Sequence, residues 1–291
     1  MLLLLVILST ALLICLIGFW STRLYPAARP FRYNQAPDVH IPEARKTMLH
    51  NTLAAKHQLQ DIIAGALSDA ERIAALTEWT HQLWHPQSGR HAKSDNPITI
   101  ISRAQKGERF ARSDYSIVLA HAMMAVGIPT RVVRLRTRDC AWRPLASSYL
   151  GIEYFDQEHF KWVWLDGRYG IRLLQSGKPL NVLEIKEAYL QKQLMEVQPD
   201  YVDIDVEEYG NLLAPFLDII VACPIGQSKH YALIPPQLNL LHNKWGFAER
   251  LYDISCHSVV SFYASHPIKQ LTRPHKTQAI DIRTGRAVSN F

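Results

Sequence analysis

The chain has 291 residues, of which 48% are hydrophobic and 20% are charged. This composition excludes a disordered polymer and is sufficient to bury at least one full core. Its 32 Lys and Arg residues outnumber the 26 Asp and Glu residues, so the net charge of +6 favours anionic surroundings such as lipid headgroups. The basic residues are spread along the chain without a zinc-knuckle, aromatic-basic or helix-turn-helix pattern, and we therefore expect no nucleic-acid partner.

The first segment, residues 1–20, is an apolar run without a single charge. It is long enough to cross a membrane as a helix. A cleaved signal peptide is the alternative, but no basic segment precedes the run, and the residue before Cys15 is too large for a lipoprotein site. We predict an uncleaved single-pass anchor in a bacterial inner membrane. Arg23, Arg29 and Arg32 follow the run and favour a cytoplasmic domain, but the sequence leaves the opposite orientation open.

Four further segments follow the anchor. Residues 21–43 contain four prolines and few apolar residues, which is typical of a tether. We predict a core domain over residues 44–200 and a C-terminal extension, residues 201–266, that packs on it. Residues 267–291 carry five Lys and Arg and one Asp, which indicates a basic tail.

Cysteine usage limits the chemistry. Outside the anchor the chain has Cys140, Cys223 and Cys256, an odd number with no close spacing. This excludes a disulfide framework and a CxxC metal site. We predict neither a metal nor a cofactor.

Helices open the core domain. We predict one helix over residues 44–67, a second that begins after Ser68 with Glu71 completing an S-x-x-E capping pattern, and a third over residues 98–107 that ends at Gly107.

A central helix follows, for which Ser113 is the predicted N-cap and Asp114 a favourable first-turn anion. The segment is apolar on nearly every side until Gly127 and Pro129 stop it. It is therefore predicted to be buried all round, at the centre of the domain.

Three strands are predicted next, over residues 130–137, 149–155 and 160–166. The last two form a hairpin, in which we pair Phe155 with Phe160. This register sets three pairs on one face: Tyr149 with Asp166, Glu153 with Trp162, and Gly151 with Trp164. One face of the hairpin is then plain core and the other is aromatic with two acids.

Later segments are less informative. Asn181 and Glu184 are predicted to cap a helix that runs to about Val197. Residues 211–226 are apolar, but Asp218 and two prolines interrupt them, so we predict buried core and not a second membrane span.

Four stretches carry a resemblance to a known family: AERIAALTEWTHQLW, GERFARSDYSIVLAHAMMAVGIPTRVV, IEYFDQEHFKWVWLDGRYG and GKPLNVLEI. In order and content they resemble the transglutaminase-like superfamily, relatives of papain-like cysteine enzymes, over roughly residues 68–188. The resemblance implies an α+β fold: N-terminal helices and a buried central helix packed on an antiparallel sheet, here preceded by one transmembrane helix.

The resemblance also implies where a catalytic site would lie. In that family a cysteine begins the central helix, and a histidine and an aspartate lie on the two hairpin strands. The positive end of the helix and the imidazolium lower the pKa of the thiol, which then attacks an amide carbonyl. Carried over to this chain, the cysteine falls on Arg112, the histidine on Tyr149 and the aspartate on Asp166. Only the acid is retained.

Arg112 raises an electrostatic question, because a cation at a helix N-terminus opposes the helix dipole. We hypothesise an ion pair between Arg112 and Asp166, or with Glu153, in the former catalytic position. The alternative is that Arg112 faces solvent and Asp166 only opens the DGRYG turn.

Three functions are open. The first is a membrane-anchored pseudoenzyme that binds a peptide or protein in the former groove. Exposed Tyr149, Trp162 and Trp164 are expected there, with Glu153 as a further binding residue. The second is an active amidase, peptidase or acyl transferase with a rearranged site.

The rearranged site would use Cys140 or Ser113 as the nucleophile with Asp166. It would require a histidine from elsewhere in the chain. His121 lies about two helical turns from Ser113, and His159 lies in the hairpin loop, so a histidine such as His230 or His257 would have to supply the base.

The third function is a structural scaffold at a membrane surface.

Overall fold

The structure is a computed structural model. It describes residues 9–10, 12–13, 44, 46–138, 140, 148–198, 204–225, 230–233, 254–256 and 262–263. The predicted tether and basic tail, and most of the predicted anchor, lie outside these residues. Over the described residues, no helix has both the length and the apolar character needed to cross a membrane.

The fold is mixed α and β with a mainly antiparallel sheet, as the composition of the predicted elements indicated. Its helices are α1 (Met48–Lys56), α2 (Leu59–Ile62), α3 (Asp69–Gln82), α4 (Pro97–Gln105), α5 (Ser113–Val126), α6 (Val182–Leu190) and α7 (Val206–Leu213), followed by a short 3-10 turn, Ala214–Phe216. The strands are β1 (Thr130–Arg136), β2 (Ser148–Asp156), β3 (Lys161–Leu165), β4 (Arg172–Gln175), β5 (Lys178–Pro179), β6 (Glu196–Gln198), β7 (Ile219–Pro224), β8 (Tyr231–Leu233) and β9 (Ile254–Cys256).

A six-stranded sheet organises the molecule, with the strands in the order β3, β2, β1, β7, β8, β9. All neighbours are antiparallel except β8 and β9. A smaller sheet joins β5, β4 and β6. Because β7 pairs directly with β1, the segment 201–266 supplies strands to the main sheet and does not merely pack on the core.

The N-terminal helices differ in one respect from the prediction. The helix predicted over residues 44–67 is divided into α1 and α2, because Gln58 adopts a left-handed conformation with φ of +49°. A left-handed residue cannot continue a right-handed helix.

The predicted cap at Ser68 is confirmed, since its hydroxyl accepts from the backbone N–H of Glu71. Asn181 and Glu184 form the predicted capping box, but α6 ends at Leu190, well before Val197. Gly107 and Gly127 both have positive φ at the ends of α4 and α5, as predicted.

Helix α5 is the buried centre that the sequence predicted, with nearly every residue from Ser113 to Ala125 inside the protein. The predicted N-cap is wrong. Arg112 occupies the cap position with helical backbone angles, and Ser113 is the first residue of the helix, so its hydroxyl does not cap the first turn.

Two apolar clusters fill the two faces of the sheet. One joins α5 and the preceding helices to Ile152, Tyr154, Val163 and Leu165. The other joins α6 and α7 to Val133, Leu135, Tyr149 and Trp164. The alternation of the hairpin residues therefore decides which side chains meet which helices.

The predicted hairpin register is wrong by two residues. Phe155 pairs with Trp162, and Glu153 pairs with Trp164. A shift of two residues keeps every side chain on its predicted face, because the side-chain period of a strand is two.

Candidate functional site

Asp166 is the chemical centre of the region where the resemblance places a catalytic site. Its carboxylate is fully buried after the end of β3. Oδ2 accepts from the Tyr149 hydroxyl at 2.5 Å and from the Tyr209 hydroxyl at 2.8 Å, while Oδ1 accepts from the backbone N–H of Arg168 at 2.8 Å. Both oxygens are thus bonded to the protein itself.

The protonation states of this cluster follow from burial. Burial raises the pKa of Asp166, and the three donors act in the opposite direction. Burial, together with the Asp166 carboxylate, raises the pKa of both the Tyr149 and Tyr209 hydroxyls. The two tyrosines therefore stay protonated and act as donors and not as bases.

One cation lies directly beside the cluster. The Arg168 guanidinium carbon is 4.5 Å from the centre of the Tyr149 ring, a cation–π distance. Its charge also lowers the pKa of Asp166 relative to burial alone. Arg168, which follows Asp166 by two residues, is the counter-cation that the sequence hypothesis had assigned to Arg112.

The hypothesised ion pair of Arg112 is wrong. Arg112 is exposed, and its guanidinium carbon lies 5.5 Å from the centre of the Tyr169 ring. Within the described residues it forms no salt bridge with Asp166 or Glu153. The two tyrosine hydroxyls bond to Oδ2 of Asp166, and the backbone N–H of Arg168 bonds to Oδ1.

Two glycines permit close packing in and after the hairpin. A Cβ at Gly151 would lie 2.2 Å from the Trp164 ring, and a Cβ at Gly167 would lie 2.6 Å from Ser116 Oγ. The absence of these two side chains lets Trp164 cross β2 and lets the turn after β3 approach the first turns of α5.

The predicted binding face is buried, which corrects the expectation of exposed aromatics. Tyr149, Trp162 and Trp164 all lie inside the protein. Glu153 forms a fully buried ion pair with Arg131 and accepts from the backbone N–H of Val182 at 3.1 Å. These residues contribute to the core and to the start of α6, and they form no open groove.

Cys140 and Cys223, the cysteines outside the predicted anchor whose side chains the structure describes, are poor nucleophiles. Cys140 is fully buried in a small cluster with Ile219, Val221 and Ala232. Burial raises the pKa of the Cys223 thiol to about 11. Since the thiolate is the reactive form, neither position is an activated cysteine.

Ser113 has a partner that sequence reasoning missed. Its Oγ lies 3.1 Å from Nδ1 of His91, which comes from the loop between α3 and α4. The same nitrogen lies 3.8 Å from Oδ2 of Asp114. Ser113 and His91 are 22 positions apart in the chain. No local sequence pattern identifies a loop histidine as the partner of a helix residue.

The other histidines considered lie elsewhere. His121 Nδ1 is 3.1 Å from His50 Nε2, and His159 bonds Asp156 in the hairpin loop. His230 lines a cavity of about 150 Å³ next to His121. His257 lies outside the described residues.

One set of potential metal ligands occurs within the described residues. Side-chain atoms of Asp156, Glu158 and His159 lie within 4.8 Å of one another in the turn between β2 and β3. Asp156 already accepts from the backbone N–H of Glu158 at 2.9 Å. The cluster is the ordinary geometry of an exposed turn, and no metal centre is inferred from it.

A cleft of about 620 Å³ opens between α3 and the turn after β3. Ala74, Thr77, His81, Tyr169, Gly170 and Arg172 line it. His81 Nε2 lies 2.9 Å from the carbonyl oxygen of Gly167 and so fixes this wall. The Tyr169 ring, which lines the cleft, is also the ring that Arg112 contacts.

No protein-family model, curated protein or solved structure matches the chain.

Proposed function

We propose that the protein is a membrane-anchored, transglutaminase-like pseudoenzyme that has lost cysteine chemistry and binds a peptide or protein segment in the cleft between α3 and the turn after β3. The observation that carries the proposal is that Oδ2 of Asp166 accepts from both the Tyr149 and the Tyr209 hydroxyls. An aspartate that orients a catalytic histidine needs a free oxygen facing that imidazole. Here the corresponding oxygen accepts from two phenols.

The residue types at the other two positions support the same conclusion. Arg112 cannot act as a nucleophile, and Tyr149 keeps its proton because burial and the neighbouring carboxylate raise its pKa. The deeply buried Cys140 does not replace the missing thiol.

The cleft supports the binding part of the proposal. Its volume of about 620 Å³ is within the range of ligand sites. Its lining combines apolar residues, such as Ile73 and Leu165, with polar ones, such as Thr77, Gln198 and Arg172. This mixture suits an extended chain with alternating apolar and polar groups.

The proposal is tested with full-length protein and a displayed library of random dodecapeptides. Peptides enriched on the wild type should bind the Ala74→Trp variant at least about tenfold more weakly, because the indole fills the cleft at an exposed lining position. Ala55→Trp, on the exposed side of α1, is the matched control and should leave affinity unchanged.

Enrichment of no peptide, or equal binding to wild type and Ala74→Trp, would overturn the binding assignment.

A separate measurement tests the loss of cysteine chemistry. Iodoacetamide at neutral pH should modify Cys140 and Cys223 only slowly in the native protein, and fast labelling of either thiol would overturn the loss of cysteine chemistry.

A further inference from the structure

We propose that Ser113 and His91 form a nucleophile and base pair that transfers acyl groups from small carboxylic esters to water. The pair is separate from the Asp166 cluster and goes beyond the proposed function, in which only the cysteine chemistry at the family's catalytic position is lost. It rests on three observations about the first turn of α5.

The first observation is the geometry of Ser113. As the first helical residue it does not cap the helix, and its side chain is bonded instead to the His91 ring, with 3.1 Å between Oγ and Nδ1. This distance is within the reach of a general base for the proton that it removes. A capping serine would have directed its oxygen at the backbone N–H groups of its own helix.

The second observation is an unpartnered carboxylate oxygen. Asp114 is buried, and its Oδ1 accepts from the backbone N–H of Ala92 at 3.3 Å. Its Oδ2 is buried with no hydrogen-bond partner among the described residues and lies 3.8 Å from His91 Nδ1. A buried oxygen of this kind is unfavourable unless a charge develops next to it.

Proton transfer supplies that charge. When Ser113 gives its proton to Nδ1, the ring becomes an imidazolium, and its positive charge lies next to the Asp114 Oδ2 atom, 3.8 Å from that nitrogen. The carboxylate then stabilises the cation by direct attraction. One nitrogen serves both partners, so this is a dyad with a stabilising anion and not a relay through two ring nitrogens.

The third observation is the positive electrostatic environment of the nucleophile. Ser113 lies at the N-terminus of a 14-residue helix, where the dipole favours negative charge. Arg112 is adjacent, exposed and without a salt bridge to any described carboxylate. An arginine at the start of this helix is unfavourable for the helix alone but is suited to stabilising an alkoxide or an oxyanion.

The reaction balances without a cofactor. The Ser113 oxygen attacks the ester carbonyl carbon as its proton moves to His91, and the tetrahedral intermediate expels the alcohol, which takes that proton. Water then loses a proton to His91 and attacks the acyl-serine. The second tetrahedral intermediate releases the carboxylic acid as the Ser113 oxygen takes that proton from His91, which restores both side chains. The sum is ester plus water giving acid plus alcohol.

The test uses full-length protein with a fluorophosphonate probe and with p-nitrophenyl acetate. Peptide mass spectrometry should find the probe on Ser113, and Ser113→Ala should abolish both labelling and acetate release. His91→Gln should slow both by at least about 100-fold, the usual contribution of a general base. Ser88→Ala, an exposed serine in the same loop as His91, is the matched control and should change neither rate.

A pH profile separates catalysis from a structural contact. Among the described residues, Ser113 and Asp114 face His91, and Asp95 is a further charge near Asp114. A pH dependence of the wild-type labelling rate that His91→Gln lacks would identify His91 as the base, and parallel profiles of the two proteins would overturn the proposal. Asp114→Asn should slow labelling while it keeps the bond to Ala92.

Ser113→Cys keeps the test valid if an alanine variant is unstable. The introduced thiol should react with iodoacetamide at neutral pH much faster than Cys223 does. In the double variant that also carries His91→Gln, the introduced thiol should react no faster than Cys223. Absence of Ser113 labelling, or labelling that His91→Gln leaves unchanged, would overturn the proposal. Neither result would bear on peptide binding in the cleft, which the Ala74→Trp variant reports.

Discussion

At the residue scale, the two tyrosine hydroxyls determine what Asp166 can do. Each donates to a carboxylate oxygen that has no access to water. Removing one donor leaves a buried charge with a missing hydrogen bond. Tyr149→Phe should therefore lower the free energy of unfolding by about 1–3 kcal/mol, measured by urea denaturation of the full-length protein at neutral pH.

A matched control is Tyr189→Phe, because the Tyr189 hydroxyl bonds Asn211 at the surface. Its effect should stay within about 0.5 kcal/mol. Equal stability of the two variants would mean that the Tyr149 hydroxyl contributes no net stabilisation to Asp166.

At the scale of the elements, the close crossing of β2 and β3 depends on a glycine. Trp164 is fully buried, and its ring occupies the space that a side chain at Gly151 would need. Gly151→Ala should destabilise the protein by about 1–3 kcal/mol, because Trp164 must move and its N–H lies 3.3 Å from the Tyr209 hydroxyl. Thermal and urea unfolding measure the loss.

Gly65→Ala is the corresponding control, since no atom lies within 4 Å of the added methyl group and its φ is not positive. Stability there should be unchanged or higher by up to about 1 kcal/mol. A Gly151→Ala protein as stable as Gly65→Ala would contradict the packing argument.

The same elements show what sequence patterns can and cannot predict. The alternation of β2 and β3 correctly placed Tyr149 and Asp166 on one face, although the register was wrong by two residues. The face of the sheet to which a side chain points follows from the alternation of residues along the strand. The pairing register of the two strands depends instead on the turn between them, in which Phe160 has a φ of +50°. The contact of Ser113 with His91 could not be predicted, because a loop between two helices has no periodicity that fixes its position.

At the scale of the whole molecule, acid should destabilise the protein through the histidine pair between α1 and α5. Burial lowers the pKa of His50, and it lowers that of His121 from 6.5 to about 4. The nearby Lys46 lowers the pKa of His50 further. A group whose folded pKa is depressed binds its proton in the unfolded chain first, so stability is retained above pH 6.5 and is lost as the pH falls toward 4.

The measurement is the pH dependence of the free energy of unfolding. His121 accounts for a loss of about 3 kcal/mol over this interval, and His121→Gln should show a correspondingly weaker dependence. Buried carboxyls such as Asp166 act in the opposite direction but are common to both proteins. His85→Gln, at an exposed position, should behave as the wild type, and an unchanged slope in His121→Gln would contradict the prediction.

The pairing of β7 with β1 has a consequence for how the chain reaches its native state. Arg131 is paired with Pro224, about ninety residues later in the chain, so the middle of the sheet is completed only after most of the sequence has been synthesised. Until then β1 has an open edge next to a hairpin that is already capable of forming, and such edges associate with other strands. Truncation before residue 219 should therefore leave an aggregation-prone intermediate and not a smaller folded domain.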